Sequence, residues 1–204
     1  MKHWEESTKQ KMLNLQLPTD PRWANIAAMN LEDILVDHAY CEQKAASSCI
    51  SLIVRYPDLE RLVDVLTPVV AEEWEHFERV MKQIRKRGYQ FGRPRKDAYV
   101  IKLSEFVQKG GGRMQQLSEF LLMNALIEAR SCERFKLLWK NIQDEELQQF
   151  YYELMVSEAG HYVNFIDLAK HYYDPEKVSQ RWKEWLVYEA WVLKEMEFRP
   201  DRMH

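Results

Sequence analysis

The chain has 204 residues, of which 46% are hydrophobic and 12% aromatic, and its formal net charge is -3. That composition supports one domain with a sizeable core and excludes a disordered chain. No run approaches the roughly 18 uncharged apolar residues of a bilayer span, and the opening MKHWEESTKQKMLNL lacks the apolar stretch of a secretory leader.

Only 6 Gly and 7 Pro punctuate long segments rich in Leu, Glu, Lys, Gln, Met and Ala. No series of short alternating strands is present, so the fold class is all-α. In chain order, residues 1–20 read as an arm with loose helical character. A first long helix runs over about 31–55 and stops at Pro57-Asp58. A second covers about 59–87, carries Pro68 inside it, where a bend is expected, and ends at Gly88. Residues 88–112 form a longer connection with a short helix near 98–109 before the triplet Gly110–Gly112. A third helix spans about 114–142, a fourth runs from Asp144 to about Tyr172, and a fifth from Pro175 to about Met196. The reading is a single domain over 1–204: a four-helix core at about 31–172, a crossover connection at 88–112 and a C-terminal helix at about 175–197.

Each of the four central helices has an apolar seam at alternating steps of three and four residues. The first carries Leu35, His38, Glu42, Ala45, Cys49 and Leu52, and the second Leu66, Val69, Glu73, His76 and Val80. The third carries Leu117, Leu121, Asn124, Glu128, Ser131, Phe135 and Leu138. The fourth carries Leu147, Tyr151, Leu154, Glu158, His161, Phe165 and Leu168. Every seam is apolar at both ends with a glutamate in the middle. Four buried carboxylates need compensating positive charge, and a few histidines supply too little. A bound metal pair would supply it.

The spacing brings the four glutamates to one level. Glu42 and Glu73 have their midpoint at 57.5, on the Pro57-Asp58 turn, and Glu128 and Glu158 have theirs at 143, beside Asp144. Each lies about 15 residues from its turn, roughly 22 Å along a helix. The halves repeat, Glu42 to Glu73-x-x-His76 at offset 31 and Glu128 to Glu158-x-x-His161 at offset 30. One Glu from each of two helices plus Glu-x-x-His from each of the other two is the dimetal-bundle pattern, with carboxylates to bridge and imidazoles to ligate. The expected metal ligands are Glu42, Glu73, His76, Glu128, Glu158 and His161. No catalytic residue is assigned beyond them. His38, one turn before Glu42, is either a supporting or pocket residue or a hydrogen-bonded core histidine.

Glu72, Glu75 and Glu133 fall off the seams and are expected to face solvent. Cys41, Cys49 and Cys132 contain no CxxC pair and form no even disulfide framework, so they are read as packing residues in a reducing cytoplasm. Trp182, Trp185, Leu186 and Trp191 are expected to pack over the bundle. Residues 82–102 hold eight Lys or Arg against Asp97 alone, a local +7 on a chain that otherwise sums to -10. Such a block is either a solvated helix end or an anion-binding surface.

The stretches HAYCEQKAAS (38–47), EEWEHFERV (72–80), EARSCERF (128–135) and SEAGHY (157–162) resemble the bacterial tRNA 2-methylthio-N6-isopentenyladenosine hydroxylase family of ferritin-like diiron proteins. The resemblance covers most of the chain, with no departure at the six ligand positions. It implies two non-haem irons, O2 as co-substrate and hydroxylation of the isopentenyl group beside the anticodon. It also implies an external electron-transfer protein or reductase, because no GxGxxG fingerprint is visible. On this reading Lys82, Arg85, Lys86, Arg87, Arg93, Arg95 and Lys96 would hold the tRNA anticodon arm, with Tyr89, Phe91 or Tyr99 available to stack a base. The alternatives are a ferritin-like ferroxidase or peroxide-handling protein, and a metal-free helical RNA-binding protein.

Overall fold

The computed structural model describes residues 13–196 together with 202 and 203. Residues 1–12 of the expected arm lie outside the described residues. Among those described there are seven helices and no strand. They are α1 Arg22–Met29, α2 Leu31–Arg55, α3 Glu60–Lys86, α4 Ala98–Phe106, α5 Arg113–Asn141, α6 Glu145–Tyr172 and α7 Pro175–Glu195. None is long and apolar enough to cross a membrane.

Local chemistry sets the helix ends. α3 closes in a Schellman turn: Gly88 takes φ +70°, its N–H donates to Arg85 O, and the Tyr89 N–H donates to Ile84 O. Asp97, Asp144 and Asp174 cap α4, α6 and α7 by accepting from backbone N–H groups one turn in, and Pro175 occupies the first turn of α7. Two expectations needed adjustment. α1 is a separate helix between the arm expected at residues 1–20 and the first long helix, where no element was expected, because its eight residues are too short to show a seam. α4 ends at Phe106 rather than near 109, where Val107 leaves the helical region.

α2 pairs with α3, and α5 with α6, each as an antiparallel hairpin, and α3 meets α6 between the hairpins. The two turns lie at opposite ends. The connection from α3 to α5 must therefore run the length of the bundle, and it does so along the outside of α2. Its ties are Gln90 N to Glu32, Tyr40 Oη to Gly92 O at 2.8 Å, Arg95 to Asp33, and Lys44 to Asp97 at 2.6 Å. α1 packs on α5 and α2, while α7 packs on α4, α5 and α6.

The apolar core is split in two. One cluster joins Cys49, Leu52, Leu66 and Val69 to Leu117–Ala129 and Tyr162–Ala169, and continues under α7 through Val178, Trp182 and Trp185. The other joins Trp23, Ile34, Leu35, Val80 and Ile84 to Phe135, Leu138, Leu147, Tyr151 and Leu154. Between them lies a layer of buried polar groups. α5 is buried on more than its seam, since α1 and α7 cover its outer side. That is where Arg130 lies fully buried, bonded to Glu189, Glu133, Thr19 Oγ1 and Leu17 O. Glu133 is accordingly no solvent-facing residue: it accepts from Thr19 N at 2.9 Å and holds the segment before α1 against α5. Trp182, Trp185 and Leu186 pack as expected, whereas Trp191 is 49% exposed.

Candidate metal centre

The seams deliver their polar residues to one place. Glu42 from α2, Glu73 and His76 from α3, Glu128 from α5, and Glu158 and His161 from α6 are all at most 5% exposed. They form two sets, Glu42–Glu73–His76–Glu158 and Glu73–Glu128–Glu158–His161, each offering ligand atoms within 4.8 Å of one another. Glu73 and Glu158 belong to both.

The imidazoles present Nδ1 to the centre. His161 Nδ1 lies 2.7 Å from Glu73 Oε1 and 3.3 Å from Glu158 Oε2. His76 Nδ1 lies 3.4 Å from Glu158 Oε1, 3.6 Å from Glu42 Oε2 and 3.8 Å from Glu73 Oε2. The ring centroids are 5.9 Å apart. Both oxygens of Glu73, Oε1 of Glu158 and Nδ1 of His76 are buried yet make no hydrogen bond of good geometry. Buried polar atoms are rarely left so unless a ligand completes them. Carboxylate oxygens and imidazole nitrogens converging on two points suit a pair of divalent transition-metal ions. The residues fit the group that the pattern implies.

Electrostatics agree. Burial opposes charge on His76 and His161, yet the surrounding carboxylates of Glu158, Glu42 and Glu73 hold His76 up to about 12, and Glu158 and Glu73 hold His161 up to about 11. Burial raises Glu73 and Glu128, and the neighbouring Glu158 charge adds to it. Glu158, against the burial penalty, is held well below the usual carboxylate range by Glu128, His161 and His76. Without a metal the cluster therefore retains protons, which supply the positive charge that four buried carboxylates demand.

The surroundings of the centre correct and extend the sequence reading. Glu72, expected to be solvated, reaches back with Oε2 to 2.8 Å from His161 Nε2. Its side chain is still 53% exposed, which is why the seam count put it outside. Glu75 is exposed as expected. His38 is fully buried, bonds Glu42 through Nε2, stacks on Tyr151, and is pushed down to about 3 by burial.

A cavity of about 20 Å3 adjoins the centre, lined by His38, Cys41, Glu42, Ala45, Ile127, Glu128, Ser131, Phe135, Glu158 and Met203. Its wall shows a signal that sequence reasoning missed. Cys41 and Ala45 flank Glu42 at positions -1 and +3, and Ile127 and Ser131 flank Glu128 at the same positions. Cys49 and Cys132 are buried packing residues, as anticipated.

The basic block divides. Lys86 pairs with Glu146, Arg87 with Asp144 at 2.5 Å, and Arg95 with Asp33 at 3.2 Å. Lys82, Arg85, Arg93 and Lys96 are exposed and form no ion pair with a described residue. Of the stacking candidates, Tyr99 is excluded: it is fully buried and its hydroxyl donates to Glu189 at 3.2 Å. Phe91, half-buried, stacks on Tyr40 with centroids 4.6 Å apart.

A helical bundle whose four central helices bring two carboxylate–imidazole sets together around two shared glutamates is a ferritin-like protein with a candidate dimetal site. The solved structure of Protein 43 with aldehyde deformylating oxygenase activity from Synechococcus has the same architecture, with a TM-score of 0.87 and 33% identity over 93% of this chain and 94% of that one. The profile of the family tRNA-(MS[2]IO[6]A)-hydroxylase (MiaE) matches residues 6–204, and the chain belongs to this family. Two relatives bear the name tRNA 2-(methylsulfanyl)-N(6)-isopentenyladenosine(37) hydroxylase. The one from Pseudomonas putida is 36% identical over 166 residues, covering 81% of this chain and 80% of the relative. The one from Salmonella typhimurium is 27% identical over 237 residues, covering 92% and 85%.

Proposed function

We propose that the chain is an O2-dependent diiron monooxygenase that hydroxylates the isopentenyl group of 2-methylthio-N6-isopentenyladenosine in tRNA, next to the anticodon. The observation that carries this reading is the pair of ligand sets sharing Glu73 and Glu158, in a chain that belongs to the MiaE family. Glu42 and His76 would hold one iron, Glu128 and His161 the other, and Glu73 and Glu158 would serve both. Four carboxylates balance the charge of two ferrous ions. When bound, the iron pair supplies the O2 chemistry that inserts an oxygen atom into an allylic C–H bond.

The protein's own groups set the conditions for that chemistry. Glu72 fixes the His161 ring through Nε2, leaving Nδ1 for the metal, and His38 orients Glu42 in the same manner. The two apolar clusters exclude water above and below the site, so reactive species meet C–H bonds rather than solvent. The cavity between α2 and α5 is the side on which a substrate methyl can approach, since Cys41, Ala45, Ile127 and Phe135 line it beside three of the carboxylates.

Arg93 and Lys96 lie on the connection strapped to the outside of α2, and Lys82 and Arg85 lie near the end of α3 that feeds it. On this reading these cations would hold the phosphate backbone of the RNA. Residues 1–204 are read as one ferritin-like unit acting in the cytoplasm, with electrons delivered by a separate protein.

Nucleoside analysis of tRNA from a host lacking the activity tests the proposal. With the chain supplied, the hydroxylated nucleoside should appear; with Glu73→Ala it should not. Absence of product from the intact chain under aerobic, reducing conditions overturns the reading. A second reading, O2-dependent deformylation of an aldehyde, is favoured by the likeness to the Synechococcus protein; it requires turnover of an aldehyde with tRNA absent.

A further inference from the structure

The cavity beside the centre holds about one water's worth of space, and a five-carbon prenyl group does not fit it. Something in its wall must yield before substrate enters. Nine of its ten lining residues stand on α2, α5 or α6, and three of those nine are the candidate ligands Glu42, Glu128 and Glu158. Moving them would dismantle the metal centre. The tenth is Met203, which is 1% exposed and belongs to no helix.

Met203 is held in place from both sides of the cavity, by one residue of α2 and one of α5. Asp37, on α2 and 8% exposed, accepts from Met203 N at 2.9 Å through Oδ2 and from Arg202 Nη1 at 2.5 Å through Oδ1. Arg134, on α5, donates from Nη1 to Met203 O at 2.7 Å and Arg202 O at 3.3 Å. Arg134 is buried, lies 4.7 Å over the Trp23 ring, and has no carboxylate at ion-pair distance among the described residues. A buried guanidinium satisfied chiefly by backbone carbonyls is a costly arrangement. It bridges Arg202–Met203 to α5 while Asp37 bridges the same two residues to α2. The segment is thus pinned across the gap between the two helices that line the cavity.

We propose that Met203 is a displaceable plug in the substrate pocket of the dimetal centre, with Asp37 and Arg134 as its latch, and that the prenyl group of the substrate takes its place. The identity of the incoming group rests on the function proposed above; the plug itself does not. While Met203 is seated, the apolar wall is complete and water is kept from the carboxylates. Release of the segment opens the pocket without moving a ligand. Access is therefore set by a contact that substrate binding can break.

Cys41 reports the state of the pocket because its thiol is part of the wall. The test uses the full chain loaded with zinc in a Cys49→Ala/Cys132→Ala background, with N-ethylmaleimide as the probe and metal content checked in every variant. Met203→Ala and Asp37→Asn should each speed Cys41 alkylation by about tenfold, and Met203→Leu, which keeps the bulk, should stay near the parent rate. Unchanged rates in both Met203→Ala and Asp37→Asn overturn the plug.

The second measurement adds N6-isopentenyladenosine to chain labelled with [13C]methyl-methionine. The Met203 methyl resonance, assigned with Met203→Leu, should move to the position of an exposed methionine. Nucleoside that protects Cys41 in Met203→Ala but leaves that resonance unmoved in the parent shows a fixed wall and overturns displacement. Accelerated alkylation in Met203→Ala with no protection by nucleoside upholds the plug and counts against the prenyl substrate, so the two failures are distinguishable.

Discussion

Glu72 and His161 stand 89 residues apart in the chain, yet Glu72 Oε2 lies 2.8 Å from His161 Nε2. The neighbouring Glu73 faces the opposite ring nitrogen, with Oε1 2.7 Å from Nδ1. Two consecutive residues of α3 therefore face one imidazole from α6 on its two nitrogens, Glu72 bonding the outer one and Glu73 standing beside the inner one. A carboxylate on the outer nitrogen fixes the tautomer and makes the inner one a stronger ligand.

Glu72→Gln should weaken metal binding by about 10- to 100-fold while leaving the fold intact. Glu75→Gln, on the exposed face of the same helix, should leave affinity unchanged. Competition against a coloured chelator measures both; equal affinities in the two variants would reduce the Glu72 contact to a surface hydrogen bond.

Metal and protons compete for the same nitrogens. His76 and His161 are held up to about 12 and about 11 in the metal-free cluster, from an ordinary value of 6.5. Divalent metal binding at Nδ1 must expel those protons, so affinity should rise with pH through the neutral range. The stability sign follows. Folded-state values raised above the unfolded ones stabilise the metal-free protein fully below about pH 6.5, and that stabilisation is lost as pH climbs toward them. Thermal melts of metal-free chain should fall from pH 6.5 to pH 9, and metal should restore them increasingly over that range. A flat profile contradicts the protonation scheme.

The buried Arg130–Glu189 pair should behave as a closed charge network. Arg130→Met leaves Glu189 buried without its cation and should cost about 3–5 kcal/mol in urea unfolding. Arg130→Met/Glu189→Leu should recover much of that loss, because the fully buried carboxylate is removed with its cation and Glu133, which also meets Arg130, keeps some contact with solvent. Similar losses in the single and double variants would show that packing, not charge, is at stake.

Contact with tRNA should be uneven along the basic block. Charge reversal at Lys82, Arg85, Arg93 and Lys96 should weaken binding strongly and flatten its salt dependence. Reversal at Lys86 or Arg87 should act mainly on stability, since these residues clasp Glu146 and Asp144 at the start of α6. Filter binding at several salt concentrations, beside melting curves, separates the two effects. Equal losses at both groups would mean that the intramolecular pairs open on RNA.

What the chain discloses by itself follows periodicity. The glutamate in the middle of each seam, the Glu-x-x-His spacing, and the equal distances of Glu42 and Glu73 from one turn and of Glu128 and Glu158 from the other mark all six central residues in the sequence itself. Buried seam positions such as Leu121, Phe135 and Phe165 follow the same way. Contacts between helices of unrelated register do not. Glu72 sits on the solvent side of its own helix and meets His161 only because α6 passes there. Arg130 and Glu133 look like surface charges on α5 until α1, α7 and the segment before α1 cover that side. Tyr99 lies within a basic stretch, and only the packing of α4 under α7 reveals that it is core. Ala45 falls on the seam but is only half-buried.

The stoichiometry of ferrous iron, titrated anaerobically into metal-free chain, tests the shared-glutamate centre most directly. The intact chain should saturate at about two ions, Glu42→Ala should retain about one, and Glu73→Ala, which strips a ligand from both sets, should hold almost none. Saturation of the intact chain at one ion, or a Glu73→Ala variant that still binds two, contradicts it.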